Sequence, residues 1–320
     1  MLYVDNRWRG HHGIARFGKE VVDRIDLPFT ALRGGPKPTS PLDVLNPSRL
    51  ALGSQAAIYS PGYNAGLTIA RQFLTVHDLI HLQVDEESSS LKKLYYERVV
   101  KPAILRAGVV MTVSKTSRHH LVEWLQTDVV DVIDVGNGCS ATFNPAGPIY
   151  SAADPYLMYV GNIKAHKNAE VLFEALSLTP DARLIVVASE TAQVEGLARK
   201  WGVSERVMAT TGVSDDELAA MYRGSSGLVY PSRLEGFGLP AAESLACGRP
   251  VAYWAGCGSI AEIVGKNGLV VTELSSSEAW ADAMRTMLSD QFHVRQPSDA
   301  HRWPDVALKV QDVLTSRGIA

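Results

Sequence analysis

Short apolar runs alternate with amphipathic helical patterns through the second half of the chain. The apolar runs, in chain order from Tyr156, read YLMYVGN, RLIVVAS, RVMATTGV, GLVYPS, PVAYWA and GLVV. The helical patterns between and after them include NAEVLFEALSL, AQVEGLARKWG, SDDELAAMYRG, PAAESLACG and SSEAWADAMRTMLSD. Strands that are apolar throughout and are joined by helices are typical of a parallel sheet covered on both faces. This half therefore predicts a doubly wound, Rossmann-like α/β domain.

The first half shows the same alternation less regularly. Its candidate strands are LYVD, AAIYSP, QFLTVHD, VVMTVS and VVDVIDVG, and its candidate helices are GIARFGKEVVDRI, SLKKLYYERVVKPAILRAG and KTSRHHLVEWLQ. Between the halves, the segment from Asn144 to Pro155 is rich in Pro, Gly, Ala and Ser and has no periodicity, as a linker would. We therefore expect two Rossmann-like doubly wound domains, residues 1–148 and 149–300, facing across a cleft lined by the loops that follow the strands.

Two helices of the second half carry a signal for their first turn. Ser214 with Glu217, and Ser259 with Glu262, fit the S-x-x-E pattern of a capping box. In that arrangement the two side chains satisfy backbone N–H groups that the first turn leaves unpaired. We expect both helices to begin at these serines.

Composition and charge narrow the class of protein. The chain has 320 residues, 46% of them apolar and 20% charged, which suits an ordinary globular protein of two domains. A formal net charge of -3 gives no global reason to expect nucleic acid as a partner. Cys139, Cys247 and Cys257 form no CxxC pair, so neither a disulfide framework nor a structural zinc site is expected.

The same sequence leads us to expect a cytoplasmic location. The N-terminal segment MLYVDNRWRGHHGIARFGKE lacks the apolar region of a signal peptide. No later run approaches the roughly 18 apolar residues of a membrane span. Peripheral association with the inner face of the membrane stays open.

The loop after the first strand of the second half carries basic residues. NIKAHKN places Lys164, His166 and Lys167 just before a helix. Basic side chains beside helix N-terminal amides suit a phosphate or diphosphate. The alternative is a solvated pair of lysines with no ligand.

A second loop, RLEGFGLP, combines glycines with acids. Gly236 and Gly238 let the backbone turn tightly, so that the amides of residues 237–239 can point at an anion. Glu243, in the first turn of the helix that follows, can accept hydrogen bonds from sugar hydroxyls, as the acid of a dinucleotide site does from ribose. Alternatively, Glu243 only complements the helix dipole.

Two loops of the first half are also candidates. RGHHGIAR follows the first strand, and Gly13 there either allows close approach of a phosphate or is part of a plain turn. In TVHDLIH, His77 and His81 have the spacing of the zinc motif HExxH. A metal site is disfavoured because the motif ends a strand, has Asp in place of Glu and lacks a third ligand. We favour His77 reaching into the cleft, with a purely structural histidine as the alternative.

Taken together, these loops resemble those of a known family, the retaining GT-B glycosyltransferases of family 4 (glycosyl transferases group 1). PSRLEGFGLPAAESLACGRPV is similar to that family's E-x7-E segment, with Glu235 and Glu243 at the two acid positions. YVGNIKAHKN resembles its diphosphate loop, GIARF its N-terminal glycine loop, and TVHDLIHL its strand end with a histidine. VMTVSKTSRHHLVEWL, VIDVGNGCSATFNP and HRWPDVALKVQDVL match the run into the linker and the final helix. The resemblance implies that the last helix, about residues 301–320, packs back on the first domain.

The resemblance also implies roles for particular residues. His77, Lys167 and Glu235 would act at the transferred sugar and the leaving phosphate, and Glu243 would bind the ribose. The diphosphate would contact Lys167 and backbone amides, with Gly13 approaching it, and the base would lie near Gly212 and Val213. The amides concerned belong to Phe237, Gly238 and Leu239. Asn162 and His166 would also bind the donor, although they stand where many members have arginines.

The implied reaction is transfer of a sugar from a nucleoside-diphosphate sugar to a hydroxyl, with retention at the anomeric carbon. GDP-mannose or a UDP-sugar is the first choice of donor, and the acceptor would be a glycan, a lipid-linked molecule or a small molecule, as in polysaccharide assembly. No metal and no other cofactor is expected. The alternatives are a non-catalytic partner subunit of a glycosyltransferase pair and another enzyme of nucleotide sugars, such as an epimerase. A dinucleotide-dependent oxidoreductase is disfavoured, because no GxGxxG follows a strand.

Overall fold

The computed structural model describes residues 1–10, 13–289, 294 and 301–319. Residues 11 and 12 of the N-terminal glycine loop lie outside the described residues. The chain forms two compact units. The first comprises Met1–Gly138 with His301–Ala320, and the second comprises Cys139–Ala300.

The first unit is built on parallel strands. They are β1 (Leu2–Val4), β2 (Phe29–Ala31), β3 (Ala57–Ser60), β4 (Arg71–Leu74), β5 (Val109–Thr112) and β6 (Asp131–Asp134). Four strands pair in the order β2-β1-β3-β4, and β5 pairs with β6. A parallel bridge between Thr75 and Met111 continues the pairing from the end of β4 to β5. The order reverses between β1 and β3, as in doubly wound sheets.

Helices connect the strands of the first unit. They are α1 (Gly13–Val22), α2 (Pro47–Leu50), α3 (Ile80–Gln83), α4 (Ser90–Tyr95), α5 (Lys101–Ala107) and α6 (Lys115–Leu125). A π-helical segment, Tyr96–Val100, joins α4 to α5, so residues 90–107 run as one helical stretch. Helix α1 buries Phe17, Gly18 and Val21 at the 3- to 4-residue spacing of one helix face.

The second unit contains a single six-stranded parallel sheet. Its strands are β7 (Tyr156–Val160), β8 (Arg183–Val187), β9 (Val207–Thr210), β10 (Gly227–Tyr230), β11 (Val251–Trp254) and β12 (Gly268–Val271). The order is β12-β11-β10-β7-β8-β9. Strands β7 and β10 are therefore neighbours, although β8 and β9 separate them in the chain. Their carboxyl ends mark the point where the strand order reverses, which is where ligands bind in this class of fold.

Six helices accompany that sheet. They are α7 (Glu170–Ser177), α8 (Thr191–Lys200), α9 (Asp215–Gly224), α10 (Leu239–Ala246), α11 (Gly258–Val264) and α12 (Ser277–Leu288). The central strands β7 and β10 are buried along nearly their whole length, as the apolar runs predict. Trp280 of α12 is fully buried in the core of this unit. The prediction of a Rossmann-like second half is confirmed.

The last helix, α13 (Trp303–Ser316), belongs to the first unit. Its Trp303 packs so closely on Gly138 that a Cβ at that glycine would lie 2.2 Å from the indole. Trp303 also contacts the ring of Phe17 in α1, with 6.1 Å between ring centroids. These contacts pack the final helix against the segment that follows β6 and against α1.

Three details differ from the sequence-based expectations. The first unit ends at Gly138 rather than at 148, because Phe143 lies in the core of the second unit and Arg223 hydrogen-bonds the carbonyl of Pro148. The capping box at Ser214 is confirmed, but the one at Ser259 is wrong: α11 is capped at Cys257 without a side-chain hydrogen bond. Strand β2 has no counterpart among the predicted strands, since its residues are exposed or half-buried and leave no apolar run.

Candidate functional site

The loops after β7 and β10 meet at the switch point of the second sheet. The 3₁₀ turn Ala165–Lys167 lies in the β7 loop, and residues 231–238 form the β10 loop. The backbone N–H of Arg233 donates to the carbonyl of His166 over 2.7 Å, so the two loops are joined directly. The two segments that the sequence identifies as chemically rich are therefore parts of one site.

A largely buried ion pair lies at the centre of this site. The ammonium of Lys167 donates to a carboxylate oxygen of Glu235 over 2.6 Å. It also lies 5.8 Å from the centre of the Tyr230 ring, at the end of β10. Burial raises the pKa of Glu235, but the charge and hydrogen bond of Lys167, together with hydrogen bonds from Ser232 and Tyr230, lower it overall. Glu235 is therefore ionised at neutral pH and paired.

Glycine is required at the turn that leads into α10. Gly238 has φ of +111°, and a Cβ there would lie 2.1 Å from Cδ1 of Ile260. It is the N-cap of α10, with Pro240 in the first turn, where a missing N–H costs nothing. The helix therefore presents its positive end on the same side as Lys167. An anion bound here would meet backbone donors and a lysine together.

Glu243, in α10, is buried and hydrogen-bonded. The hydroxyl of Tyr222, at the end of α9, donates to its Oε2 over 3.3 Å. Burial and then the negative charge of Glu243 raise the pKa of Tyr222 well above its ordinary value, so the tyrosine remains a donor. Tyr222 thus orients the Glu243 carboxylate. The sequence patterns did not identify Tyr222, because a tyrosine on the apolar face of a helix has no feature that marks it.

Ser259 has a different role from the predicted one. Its hydroxyl donates to the backbone carbonyl of Glu235 over 2.9 Å, and the residue is buried. The start of α11 thereby fixes the backbone of the Glu235 loop. Together, Ser259 and Lys167 restrain Glu235 at its main chain and at its side chain.

The other predicted donor residues of the second unit follow the carboxyl ends of strands β7 and β9 of the same sheet. Asn162 follows β7, and its backbone carbonyl accepts a hydrogen bond from Tyr159 over 2.7 Å. Its buried side-chain oxygen has no hydrogen-bond partner among the described residues. His166 is buried within the 3₁₀ turn. Gly212 and Val213 follow β9 at the far edge of the sheet, and Gly212 has φ of +69° and open space within 4 Å on its side-chain side.

The two candidates of the first unit occupy its own switch point. Gly13 is exposed and begins α1, after the loop that follows β1. His77 is buried beside Phe17 of α1, with 4.8 Å between ring centroids. Its Nε2 lies 2.9 Å from the carbonyl oxygen of Pro61, after β3. Because a carbonyl can only accept, Nε2 carries the proton.

The geometry gives no support to a metal site at the HDxxH segment. His77 is committed to the Pro61 carbonyl, while His81 lies in α3, 5.9 Å from the ring centre of Tyr63. Among the described residues, no group of three or more His, Cys, Asp or Glu side chains could hold a metal ion. Within the same residues, no helix is both long and apolar enough to cross a membrane.

Comparison with solved structures identifies the fold. Over 99% of this chain and 95% of that chain, the structure is similar to sucrose-phosphate synthase from Thermosynechococcus elongatus, with a TM-score of 0.70 and 19% sequence identity. Two Rossmann-like units with parallel sheets, in this arrangement along the chain, define the GT-B fold.

The sequence of the second unit is similar to a known family. Residues 150–303 match the family described as glycosyl transferases group 1. An O-antigen chain mannosyltransferase B of Escherichia coli is 25% identical over 73% of this chain and 66% of its own length. A D-inositol 3-phosphate glycosyltransferase of Xylanimonas cellulosilytica is 31% identical over 50% of this chain and 42% of its own length. The chain thus spans about two fifths to two thirds of the length of these curated relatives.

Proposed function

We propose that the protein is a glycosyltransferase that moves a sugar from a nucleoside-diphosphate sugar to an acceptor hydroxyl, with retention at the anomeric carbon. The observation that carries the proposal is the Lys167–Glu235 ion pair at the switch point of the second sheet, beside the N-terminus of α10. In doubly wound sheets this is the place where nucleotides bind. The family match of the same segment supports the choice of a sugar nucleotide.

The proposed donor site divides into three parts. Lys167 and the backbone N–H groups at the start of α10 would hold the diphosphate. Glu243, oriented by Tyr222, would accept hydrogen bonds from the ribose hydroxyls. The unpaired side-chain oxygen of Asn162 would accept from a further hydroxyl or amide of the donor. Gly212 and Val213 are proposed to lie near the base, and His166 near the phosphates.

The chemistry then rests on stabilising a leaving group. Cleavage of the anomeric C–O bond leaves negative charge on the departing phosphate and positive character on the sugar. Lys167 and the loop amides are in place before the reaction, so they stabilise the developing charge without reorganising. One such contact is typically worth about 3 kcal/mol in the transition state.

Glu235 is proposed to position rather than to attack. Retaining hydrolases use two carboxylates about 5 Å apart, one of them a nucleophile. Here the Glu235 carboxylate is already bound to Lys167 at 2.6 Å and its backbone to Ser259 at 2.9 Å. We infer that it holds Lys167 on the phosphate and lies near the sugar, and that the leaving phosphate takes the acceptor proton. Gly13 and His77 of the first unit are proposed to serve the same reaction, without a metal ion.

A mannose donor is the first choice among the sugars. The E. coli relative is named as a mannosyltransferase, which favours GDP-mannose over a UDP-sugar. The acceptor is proposed to be a glycan, a lipid-linked molecule or a small molecule.

A panel of nucleotides tests the proposal. Melting temperatures are measured with UDP, GDP, ADP and TDP and with their sugars, because a ligand that binds only the folded state raises the melting temperature by mass action. We expect the nucleotides of one base to raise the melting temperature most. The sugar of that nucleotide should be released or transferred when acceptors are added. A panel in which no nucleotide shifts the melting temperature would contradict the donor site.

A second candidate function is a non-catalytic partner subunit that binds the nucleotide sugar. The intact Lys167–Glu235 pair argues against loss of the catalytic groups, although a site that only binds the diphosphate would also use the lysine. Tight donor binding without transfer or hydrolysis under any acceptor would favour this second function. Formation of an epimerised sugar nucleotide would instead identify an epimerase.

A further inference from the structure

The first unit contains a cavity that the proposed donor site does not use. It has a volume of about 570 Å³ and is lined by residues of three segments: 38–44, the pair Tyr63 and His81, and 89–99. This volume lies within the range of about 300 to 1,000 Å³ that is usual for small-molecule sites. All of its lining residues belong to the first unit.

One wall of the cavity is a loop that buried charges hold in place. The segment 38–44 includes the buried Asp43. Its carboxylate forms ion pairs with Arg7 at 2.6 Å and with the fully buried Arg49 at 2.8 Å. Arg7 also donates to the carbonyl of Pro36 over 2.6 Å, and Leu67 donates its N–H to the carbonyl of Val44 over 2.8 Å. The wall is thus a fixed surface, and the cavity is formed before any ligand arrives.

The floor and the opposite wall are apolar and aromatic. Tyr63 and Tyr96 stack, with 5.7 Å between ring centroids. The hydroxyl of Tyr95 is engaged by both the N–H and the carbonyl of Ala65, at 2.8 and 2.9 Å, so its polar atom is satisfied by the backbone. Leu91 and Leu94 also line the cavity, yet they are 61% and 54% exposed. Exposed leucines at the mouth of a preformed apolar cavity mark a binding site.

The charged groups that line the cavity are cationic. Lys92 and Arg98 lie on its rim, and no carboxylate is among the described lining residues. Glu97, on the same helical stretch, is turned to other partners, the indole N–H of Trp124 at 2.7 Å and Lys101 at 3.9 Å. Lys92 forms no ion pair within the described part of the chain, and its ammonium donates to the backbone carbonyl of Glu87 over 2.8 Å. The rim therefore favours an anion next to the apolar interior.

From these features we propose that the cavity binds the hydrocarbon chain of an anionic amphiphile, with Lys92 and Arg98 at its phosphate. The proposal rests on the proposed function in one respect: the amphiphile is the lipid part of a lipid-linked acceptor, which names the acceptor class of this transferase.

Direct binding to the full chain, without any donor, tests the proposal. The probe is farnesyl monophosphate below its micelle concentration, compared with farnesol and with inorganic phosphate, by titration calorimetry. We expect farnesyl monophosphate to bind, farnesol to bind more weakly and inorganic phosphate not to bind. Equal affinity for farnesyl monophosphate and inorganic phosphate would overturn the proposal.

Paired variants locate the site. The double variant Leu91→Gln, Leu94→Gln is expected to bind farnesyl monophosphate about tenfold more weakly, because apolar contact area is lost. The matched control is Leu105→Gln, a residue 41% exposed on the same helical stretch that does not line the cavity. Arg98→Gln should bind several-fold more weakly and lose much of the salt dependence, whereas Lys93→Gln, off the cavity, should not. Because all of these positions are exposed, the variants should fold normally.

Two further measurements distinguish this proposal from membrane surface binding and from the proposed transferase function. Phosphatidylglycerol vesicles that bind the protein and the leucine variant alike, with no binding of dispersed farnesyl monophosphate, would show a membrane surface contact and overturn the cavity assignment. The nucleotide melting panel is run on the same proteins. Farnesyl monophosphate binding without any nucleotide shift would contradict the proposed transferase and leave the cavity assignment standing.

Discussion

Lys167 and Glu235 are 68 residues apart in the chain, and their charged groups lie 2.6 Å apart in a largely buried site. Each charge is expensive to bury alone, and the pair removes most of that cost. In the proposed reaction, Lys167 would stabilise the diphosphate as it leaves.

Lys167→Met should destabilise the protein by about 3 kcal/mol at neutral pH, because it leaves the Glu235 carboxylate buried without its cation. In the native protein the pKa of Glu235 is lowered, so its ionisation stabilises the fold above the unfolded pKa and this contribution is lost as the pH falls through the folded value. In the variant the cation that lowers the pKa of Glu235 is gone, while burial and the hydrogen bonds of Ser232 and Tyr230 remain. The pKa therefore rises, and the deficit should shrink as the pH falls towards about 4. Urea unfolding at neutral pH and near pH 4 measures this loss in the free energy of unfolding.

The control for that variant is Lys200→Met. Lys200 pairs with Glu170 at the surface, where both side chains are about half exposed. Such pairs contribute about 0 to 1 kcal/mol, so we expect little change at either pH. A deficit in Lys167→Met that is equally large in acid would contradict the pairing argument.

Glu243→Ala should weaken nucleotide binding by about tenfold to a hundredfold, since hydrogen bonds to a charged group contribute about 1.5 to 3 kcal/mol each. Lys167→Ala should instead act mainly on turnover. Calorimetric titration with the nucleotide that stands out in the melting panel gives the affinities, and transfer assays give the rates.

Tyr222→Phe is the matched control for the ribose role of Glu243. It removes the hydroxyl that lies 3.3 Å from the carboxylate but leaves the carboxylate itself. If Glu243 binds the nucleotide directly, this variant should keep most of the affinity. Unchanged affinity in Glu243→Ala, or an equal loss in both variants, would refute the direct contact.

Gly238→Ala should destabilise the protein by about 1 to 3 kcal/mol, the usual range for a non-glycine residue in a disfavoured backbone region. The added Cβ would also meet Ile260 at 2.1 Å, so α11 would have to shift. Gly196→Ala, within α8 and with nothing within 4 Å, should stabilise by up to about 1 kcal/mol through helix propensity. Thermal unfolding distinguishes the two substitutions by their opposite signs.

Arg49→Met should destabilise the first unit by about 3 to 5 kcal/mol, because Asp5 and Asp43 would lose a cation that is fully buried with them. Arg24→Met, which breaks an exposed pair with Glu20 on α1, should change stability by less than about 1 kcal/mol. Chemical denaturation of the two variants, monitored by tryptophan fluorescence, compares them. Similar values for the two would mean that the buried network contributes no more than a surface pair.

Much of the fold could be predicted from the pattern of apolar residues. The central strands β7 and β10 read as continuous apolar runs because they are covered on both faces, and burial is what the pattern records. Strand β2 was missed for the same reason, since Phe29 and Thr30 are exposed at the edge of the sheet. The Ser259 cap was predicted wrongly because S-x-x-E describes only local spacing, whereas the hydroxyl found a partner 24 residues away in the Glu235 carbonyl.

The sequence by itself identified Lys167, Glu235 and Glu243 as candidates, because they stand in or beside loops whose glycines and charges are visible without coordinates. It also determined the parallel α/β class, because apolar runs and helical periodicity are local properties. Only the tertiary structure decided that Lys167 binds Glu235, that Tyr222 orients Glu243, and that an apolar cavity opens between residues 38–44 and 89–99. These relationships join segments far apart in the chain. They depend on the strand order, which makes β7 and β10 neighbours, and on packing that no local pattern encodes.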